Sequence, residues 1–518
     1  METFEWTIML LFGAALLSGL AGRLSLPYPS LLALGGAAIA LLPFHPEWTL
    51  DPRLALTLFV APVLLDAAYD SSPRDLMRNW RALVALAFFS VIITTACVAI
   101  VVKALVPEMG WAAAIALGAI VAPPDAAAAT AVIRRLPMPH KLRTMLEGES
   151  LINDASALLI YRFAIVAAAS GSFGFGELAP QVLLTLFGSV IVGASIGWLF
   201  LWFNRRVFTE VSTAVIAQFT LTFGLWILSE NLGLSGILTI VANAVTVARL
   251  GRLDVPARIR VPTLAIWETV VFILNAFAFV LIGMQVGPIW ARLAPNDRVA
   301  HLGIALAVLA TVVAARFAWV FVYSFAAKRF AFDPYQHSLS WRQVLKGCTV
   351  LSWTGMRGIV TLAAALAVPL SVGDGTPFPY RDLIMLCAFT TVLGTLVLQG
   401  LTLGPLIKAL KFPAENPVND EVVWARSEAY GVGLRQIEMV STEEADAVRR
   451  QYGPRLDIGS EPAAQLGRNA TELRKTVLDA ARGHANELRL AGMIGDEAFR
   501  VLEAELDWAE LEAESTQR

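Results

Sequence analysis

The chain has 518 residues, of which 57% are hydrophobic and 16% charged, with 40 Lys+Arg against 42 Asp+Glu. Ordinary soluble domains are about 45–50% apolar and about 25% charged. The apolar excess excludes a disordered chain, a nucleic-acid binder with a basic face and a string of soluble domains. It points instead to an all-α polytopic membrane protein. Three cysteines, Cys97, Cys348 and Cys387, lie far apart in apolar runs, so they read as small hydrophobes and not as a disulfide or metal framework.

Apolar stretches long enough to span a membrane follow one another at roughly 4–22, 28–44, 53–69, 81–106, 111–134, 145–169, 180–203, 212–229, 233–249, 264–288, 302–326, 345–370 and 382–408. That predicts about 13 transmembrane helices, each needing about 20 residues. The flank before the first span has no basic segment, so it does not read as a signal peptide. Alternate loops hold 18 Lys and Arg, among them Arg78, Arg143, Arg206, Arg249 and Lys328, and the opposite loops hold 5. The positive-inside rule then places the N-terminus outside and the C-terminus in the cytoplasm. The expected organisation is a membrane domain over 1–411 and a helical cytoplasmic tail over 412–518. The tail carries 21 acidic against 12 basic residues. Its apolar residues Leu490, Ile494, Phe499, Leu502 and Leu506 recur at helical spacing.

A charge at the bilayer centre costs at least about 2.5–3.5 kcal/mol, so intramembrane ionisable residues are functional candidates by default. This chain has Asp66, Asp125, Glu147, Glu149, Asp154, Arg162, Arg316 and Arg357 within its predicted spans. The densest cluster is Glu147 to Asp154. Ser150 and Asp154 are four apart, as are Glu149 and Asn153, so adjoining strips of one helix would present two carboxylates, an amide and a hydroxyl. Such oxygen-rich groups suit a hard monovalent cation or a proton. One span earlier, Pro123 and Pro124 remove two amide donors just before Asp125, so the helix should break there. Asp125 would then balance the exposed amides of the half-helix that follows. A second disturbed span holds Gly355, Arg357 and Gly358. Discontinuous spans in corresponding positions mark the binding site of inverted-repeat transporters, and the breaks fit two six-helix repeats at roughly 1–170 and 212–408. Arg357 is the expected cationic partner of the carboxylates at 149 and 154. For Arg162, eight residues beyond Asp154, snorkelling outward and pairing with an acid on another span both remain open.

These motifs resemble the electroneutral branch of the monovalent cation:proton antiporter superfamily, which includes bacterial NhaP-type and animal sodium/proton exchangers. The resemblance is carried by Gly118 to Ala131, Lys141 to Asp154, and Gly355 to Thr361. Glu230 to Gly236, Trp267-Glu268 with Leu274-Asn275, and Leu398 to Thr402 add to it. It implies broken crossing helices and electroneutral exchange of a monovalent cation, Na+ first and Li+ or K+ next, for H+ by alternating access. It implies that Asp154 binds cation and proton in turn, that Ser150 supplies a ligand oxygen, and that Asn153 is the neutral neighbour. It pairs Glu149 with Arg357, lets Asp66 support Asn153, and puts Asp125 at the helix crossing. A homodimer in the cell (inner) membrane is likewise implied. Where the family reads Thr-Asp-Pro, this chain reads Pro124-Asp125-Ala126, so a threonine hydroxyl is missing from the site.

Two other readings compete. An electrogenic antiporter would titrate Asp125 or Glu149 as well, and a sodium-coupled solute carrier on the same fold would need an anion pocket. An enzyme finds no support: the five histidines fall in predicted loops or the tail, and neither a His-Glu-x-x-His motif nor a phosphate-binding loop is present. No cofactor is expected. The partners are then membrane lipid and the two transported ions.

Overall fold

The computed structural model describes residues 2–412 other than 25, 43–51, 71–76, 134–137, 171–174, 208–209, 251–256, 331–332, 334–338 and 373–375, with a few positions beyond 412. The chain divides into two compact units, Met1–Glu415 and Asn416–Arg518. The tail helices expected in the second unit lie outside the described residues.

Apart from one isolated bridge between Ser371 and Pro377, the described structure of the first unit is helical. It begins with α1 (Glu2–Leu24) and α2 (Tyr28–Ile39). Helix α3 consists of Pro52–Ala55, a π-helical stretch Leu56–Val60 and Ala61–Asp70. Helix α4 is built the same way, from Trp80–Val84, the π-helical Ala85–Phe89 and Ser90–Leu105. Then come α5 (Trp111–Val121), α6 (Ala126–Ile133), α7 (His140–Ser170), α8 (Phe175–Val207), α9 (Val211–Asn231) and α10 (Gly236–Leu250). The series ends with α11 (Ala257–Met284), α12 (Val286–Arg292), α13 (Arg298–Arg329), α14 (Trp341–Trp353), α15 (Ile359–Leu366) and α16 (Arg381–Leu410).

Among the described residues, eight helices are long and apolar enough to cross a membrane, and shorter apolar helices lie between them. Their outward faces are apolar too. Phe12, Leu16 and Leu20 of α1 and Phe187, Ile191 and Trp198 of α8 are exposed. Large exposed apolar faces are foreign to a soluble monomer and suit lipid contact.

Lipid gives apolar helices no hydrophobic reason to associate, so close packing must come from small residues. The α2–α11 contact shows this. A Cβ placed on Gly36 would overlap the Val280 carbonyl, and one on Gly283 would overlap the Ala33 carbonyl. In the same way Gly118 of α5 lies against the Thr95 backbone of α4. Helices α5 and α7 pack together, as do α13 and both α4 and α16.

Two of the spans are interrupted. Helix α5 stops at Val121 because neither Pro123 nor Pro124 can donate an amide to the preceding turn. Helix α14 is started by a capping box in which Gln343 N donates to Ser340 Oγ and Ser340 N donates to Gln343 Oε1. It ends at Trp353, ahead of Gly355 and Gly358. The sequence expectation of two broken spans is met at these positions.

Gly36→Val is expected to lower stability by about 1–3 kcal/mol, the usual cost of overpacking. Gly13→Ala, at a position with open space, is the tolerated control. Thermal unfolding of the detergent-purified protein checks both.

Candidate ion-binding site

The four half-helices α5, α6, α14 and α15 meet at their broken ends. Breaking a helix exposes carbonyls at one new end and amides at the other. The Asp125 amide donates to the Met356 carbonyl at 2.6 Å, joining the two breaks directly. A Cβ on Gly358 would collide with the Asp125 carboxylate, so only glycine admits this contact.

Arg357 closes the carbonyl side. Its Nε donates to Val121 O at 3.0 Å and its Nη2 to Ala122 O at 3.1 Å. Its Nη1 donates to Gly355 O, and its backbone amide donates to Thr395 Oγ1 of α16 at 3.0 Å. The guanidinium is buried. A cation is favoured at the negative end of a helix, and this one occupies that end of α5. Asp125 precedes α6 and carries the complementary charge at a positive end.

Helix α7 supplies the remaining groups. Asn153 Nδ2 donates to the Pro124 carbonyl at 3.0 Å, which ties α7 to the first break. Asn153 Oδ1 is buried without a hydrogen-bond partner. Asp154 is buried and has no hydrogen bond or ion pair among the described residues. Its carboxylate is close enough to Asp125 for their charges to interact. Ser150 lies one turn before Asp154 and is half-buried.

Three sequence expectations are corrected. Glu149 pairs with Arg316 of α13, not with Arg357. Arg316 Nη1 and Nη2 reach the two carboxylate oxygens at 2.5 and 3.0 Å, both side chains being 2% exposed. Arg316 also donates to the Leu351 carbonyl at 2.9 and 3.1 Å. Arg357 is unavailable because three carbonyls already hold it. The buried carboxylates Glu149 and Asp154 of α7 therefore do not share one locality: Glu149 is bound to α13, while Asn153, next to Asp154, reaches the α5–α6 break. Lastly, the Asn153 amide is given to Pro124, and Asp66 instead lines a separate cavity with Gln218, Asn243 and Trp267.

The open choice at Arg162 is resolved as a pair with Glu230, at 2.7 and 2.8 Å. The substituted threonine of the first break has no direct replacement at Ala122, whose carbonyl is occupied by Arg357. One contact at the break lies outside the sequence candidates: Thr395, whose Oγ1 accepts the Arg357 amide hydrogen bond. Thr391, Thr395 and Gln399 are all fully buried and spaced four apart, and that polar stripe in an apolar span was the available signal.

Crossed, interrupted helices around a buried carboxylate, inside a helical body with apolar outer faces, define a secondary ion transporter. Residues 8–409 match the family described as "Sodium/hydrogen exchanger, transmembrane", and the chain belongs to that family. It is a transporter and not an enzyme. An uncharacterized Na(+)/H(+) exchanger of Mycobacterium bovis is 30% identical, over 93% of this chain and 91% of that one. The sodium, potassium, lithium and rubidium/H(+) antiporter of Bacillus pumilus is 31% identical over 74% of this chain and 58% of its own length. The solved structure of the sodium proton antiporter MjNhaP1 from Methanocaldococcus jannaschii at pH 8 shares the fold, with a TM-score of 0.60 and 18% identity over 79% of this chain and 99% of that one.

Arg316→Met leaves Glu149 buried and unpaired, and the expected loss is about 3–5 kcal/mol. Adding Glu149→Gln should recover most of it. Unfolding midpoints of the single and double variants test the pairing, and an unaltered midpoint in Arg316→Met would contradict it.

Proposed function

We propose that this chain exchanges one monovalent cation for one proton, with Na+ the leading substrate and Asp154 the shared site. Family membership supports cation/proton antiport as the general activity. The observation that carries the finer reading is the contrast between the two buried acids of α7, Glu149 and Asp154. Glu149 is neutralised by Arg316, while buried Asp154 has no hydrogen bond or ion pair among the described residues.

Charge bookkeeping supports one-for-one exchange. Asp125 and Arg357 balance across the helix crossing, and Glu149 balances Arg316. Asp154 alone leaves the site at −1. A proton or a monovalent cation brings it to zero, and either species displaces the other. A bare charge is costly to move through the membrane interior, so only the loaded site crosses. Asn153, where a second acid would add another proton, keeps the count at one. Its free Oδ1 and the Ser150 hydroxyl are the oxygens that would help Asp154 hold a hard cation. The α4, α5, α6, α7, α13, α14, α15 and α16 segments would move against the remaining helices, because Glu149 ties α7 to α13 and Trp319 ties α13 to α4, in a homodimer of the cell membrane with the N-terminus outside and the tail inside. The Asp125–Asp154 interaction is what an electrogenic alternative would draw on, because a second titrating carboxylate would change the stoichiometry.

In everted vesicles from antiporter-deficient cells, Na+ is expected to dissipate an imposed proton gradient. Li+ and K+ are compared in turn. Asp154→Asn should abolish the response to every cation. Competition requires the half-saturating cation concentration to rise as the medium is acidified. Exchange rates that follow a clamped membrane potential would reject electroneutrality and turn attention to Asp125. Full activity in Asp154→Asn would remove the site assignment.

A further inference from the structure

We propose that the Arg162–Glu230 ion pair is a latch that holds the Asp154 helix in its present register and sets the balance between the two access states. The proposal rests on the alternating-access reading given above. Arg162 lies eight residues beyond Asp154 on α7, about 12 Å along the helix axis. Between them α7 presents Ala155, Leu158 and Leu159 to a cavity of about 470 Å³ that also reaches Arg162 and Glu230. Thr185 of α8, Trp226 of α9, Ile237 of α10 and Ala364 of α15 also line this cavity. It therefore extends from the neighbour of Asp154 to the ion pair, between α7 and the α8–α10 helices.

The two halves of the pair belong to different structural groups. Glu230 sits at the end of α9, before a turn that needs glycine because Gly233 has a φ of 72°. That turn is anchored on α8: Ser235 N donates to Ser189 Oγ at 2.9 Å, and Thr185 Oγ1 donates to Gly233 O at 3.5 Å. The Glu230 carboxylate is further held by the Gly236 amide at the start of α10, at 3.4 Å. Arg162 comes from the ion-carrying helix, meets both carboxylate oxygens and also donates to the Leu234 carbonyl at 3.3 Å. Such a two-pronged contact fits one register of α7 against the turn and is lost when α7 slides. Both side chains are about two-fifths exposed, so the latch is modest by construction and can release on every cycle.

The test labels a single cysteine, Ala155→Cys, after Cys97, Cys348 and Cys387 have been replaced. A membrane-impermeant thiol reagent is applied to the face opposite Arg162, so the labelling rate follows the population of the other access state. Arg162→Glu and Glu230→Arg, each alone, should raise that rate by up to about fivefold, the scale of a half-exposed pair. The double reversal should bring it back toward the wild type, because the pair is restored with its charges exchanged. Glu230→Gln, a neutral replacement of the same shape, should act in the same direction as the single reversals. Equal labelling in all the variants, or a double variant no closer to the wild type than the singles, overturns the latch. The readout does not depend on transport. A chain silent toward every cation would remove the antiport reading while the labelling still decides the latch.

Discussion

The site depends on one cation placed where two helices have been cut. An interrupted helix inside a membrane leaves carbonyls and amides with no water to satisfy them, and each orphan costs several kcal/mol. Arg357 answers on the carbonyl side with bonds to Val121, Ala122 and Gly355. The Asp125 amide answers on the other side by bonding Met356 O. With the break held open in this way, the Pro124 carbonyl is presented to Asn153, and Asn153 in turn places Asp154 beside the crossing. Without the guanidinium, the same prolines and glycines would leave unpaired backbone groups in an apolar interior.

The second constraint is that buried charges must be compensated, and the chain divides this work between two arginines. Arg316 binds Glu149 with both nitrogens, a geometry that lysine could not reproduce. Arg357 binds no acid among the described residues and instead neutralises helix ends. Among the described residues, buried Asp154 is then left with no hydrogen bond or ion pair. Placing the fixed and the free acid five residues apart on one helix sets them about 7.5 Å apart along its axis and well round its circumference. Each can therefore keep a different partner.

How much of this was legible depended on whether a feature is local. The break at Pro123 and Pro124 is a covalent fact, since proline has no amide to donate, and it was readable without any partner. The glycines flanking Arg357 gave the second break in the same way. Pairings across the fold were not readable. Glu149 and Arg316 are 167 positions apart, and choosing Arg316 over Arg357 requires knowing that Arg357 is already consumed by carbonyls. Arg162 and Glu230 are 68 apart, and both snorkelling and pairing satisfied everything the sequence said. The support of Asn153 by Asp66 came from resemblance alone, and the Pro124 carbonyl holds that amide instead. The stripe of Thr391, Thr395 and Gln399 is the exception, because its spacing was visible and its purpose followed only from the contact with Arg357.

The Glu149–Arg316 bond also has a mechanical meaning. Three positions after Arg316 on α13, Trp319 Nε1 donates to the Ala85 carbonyl in the π-helical stretch of α4 at 2.8 Å. Helix α7 is thus riveted to α13, and α13 to α4, by polar bonds that lipid cannot replace. Any displacement of Asp154 that preserves these rivets carries α4 and α13 as freight. The travelling body is then wider than the broken helices and their immediate neighbours, and its drag through the bilayer belongs to the whole assembly.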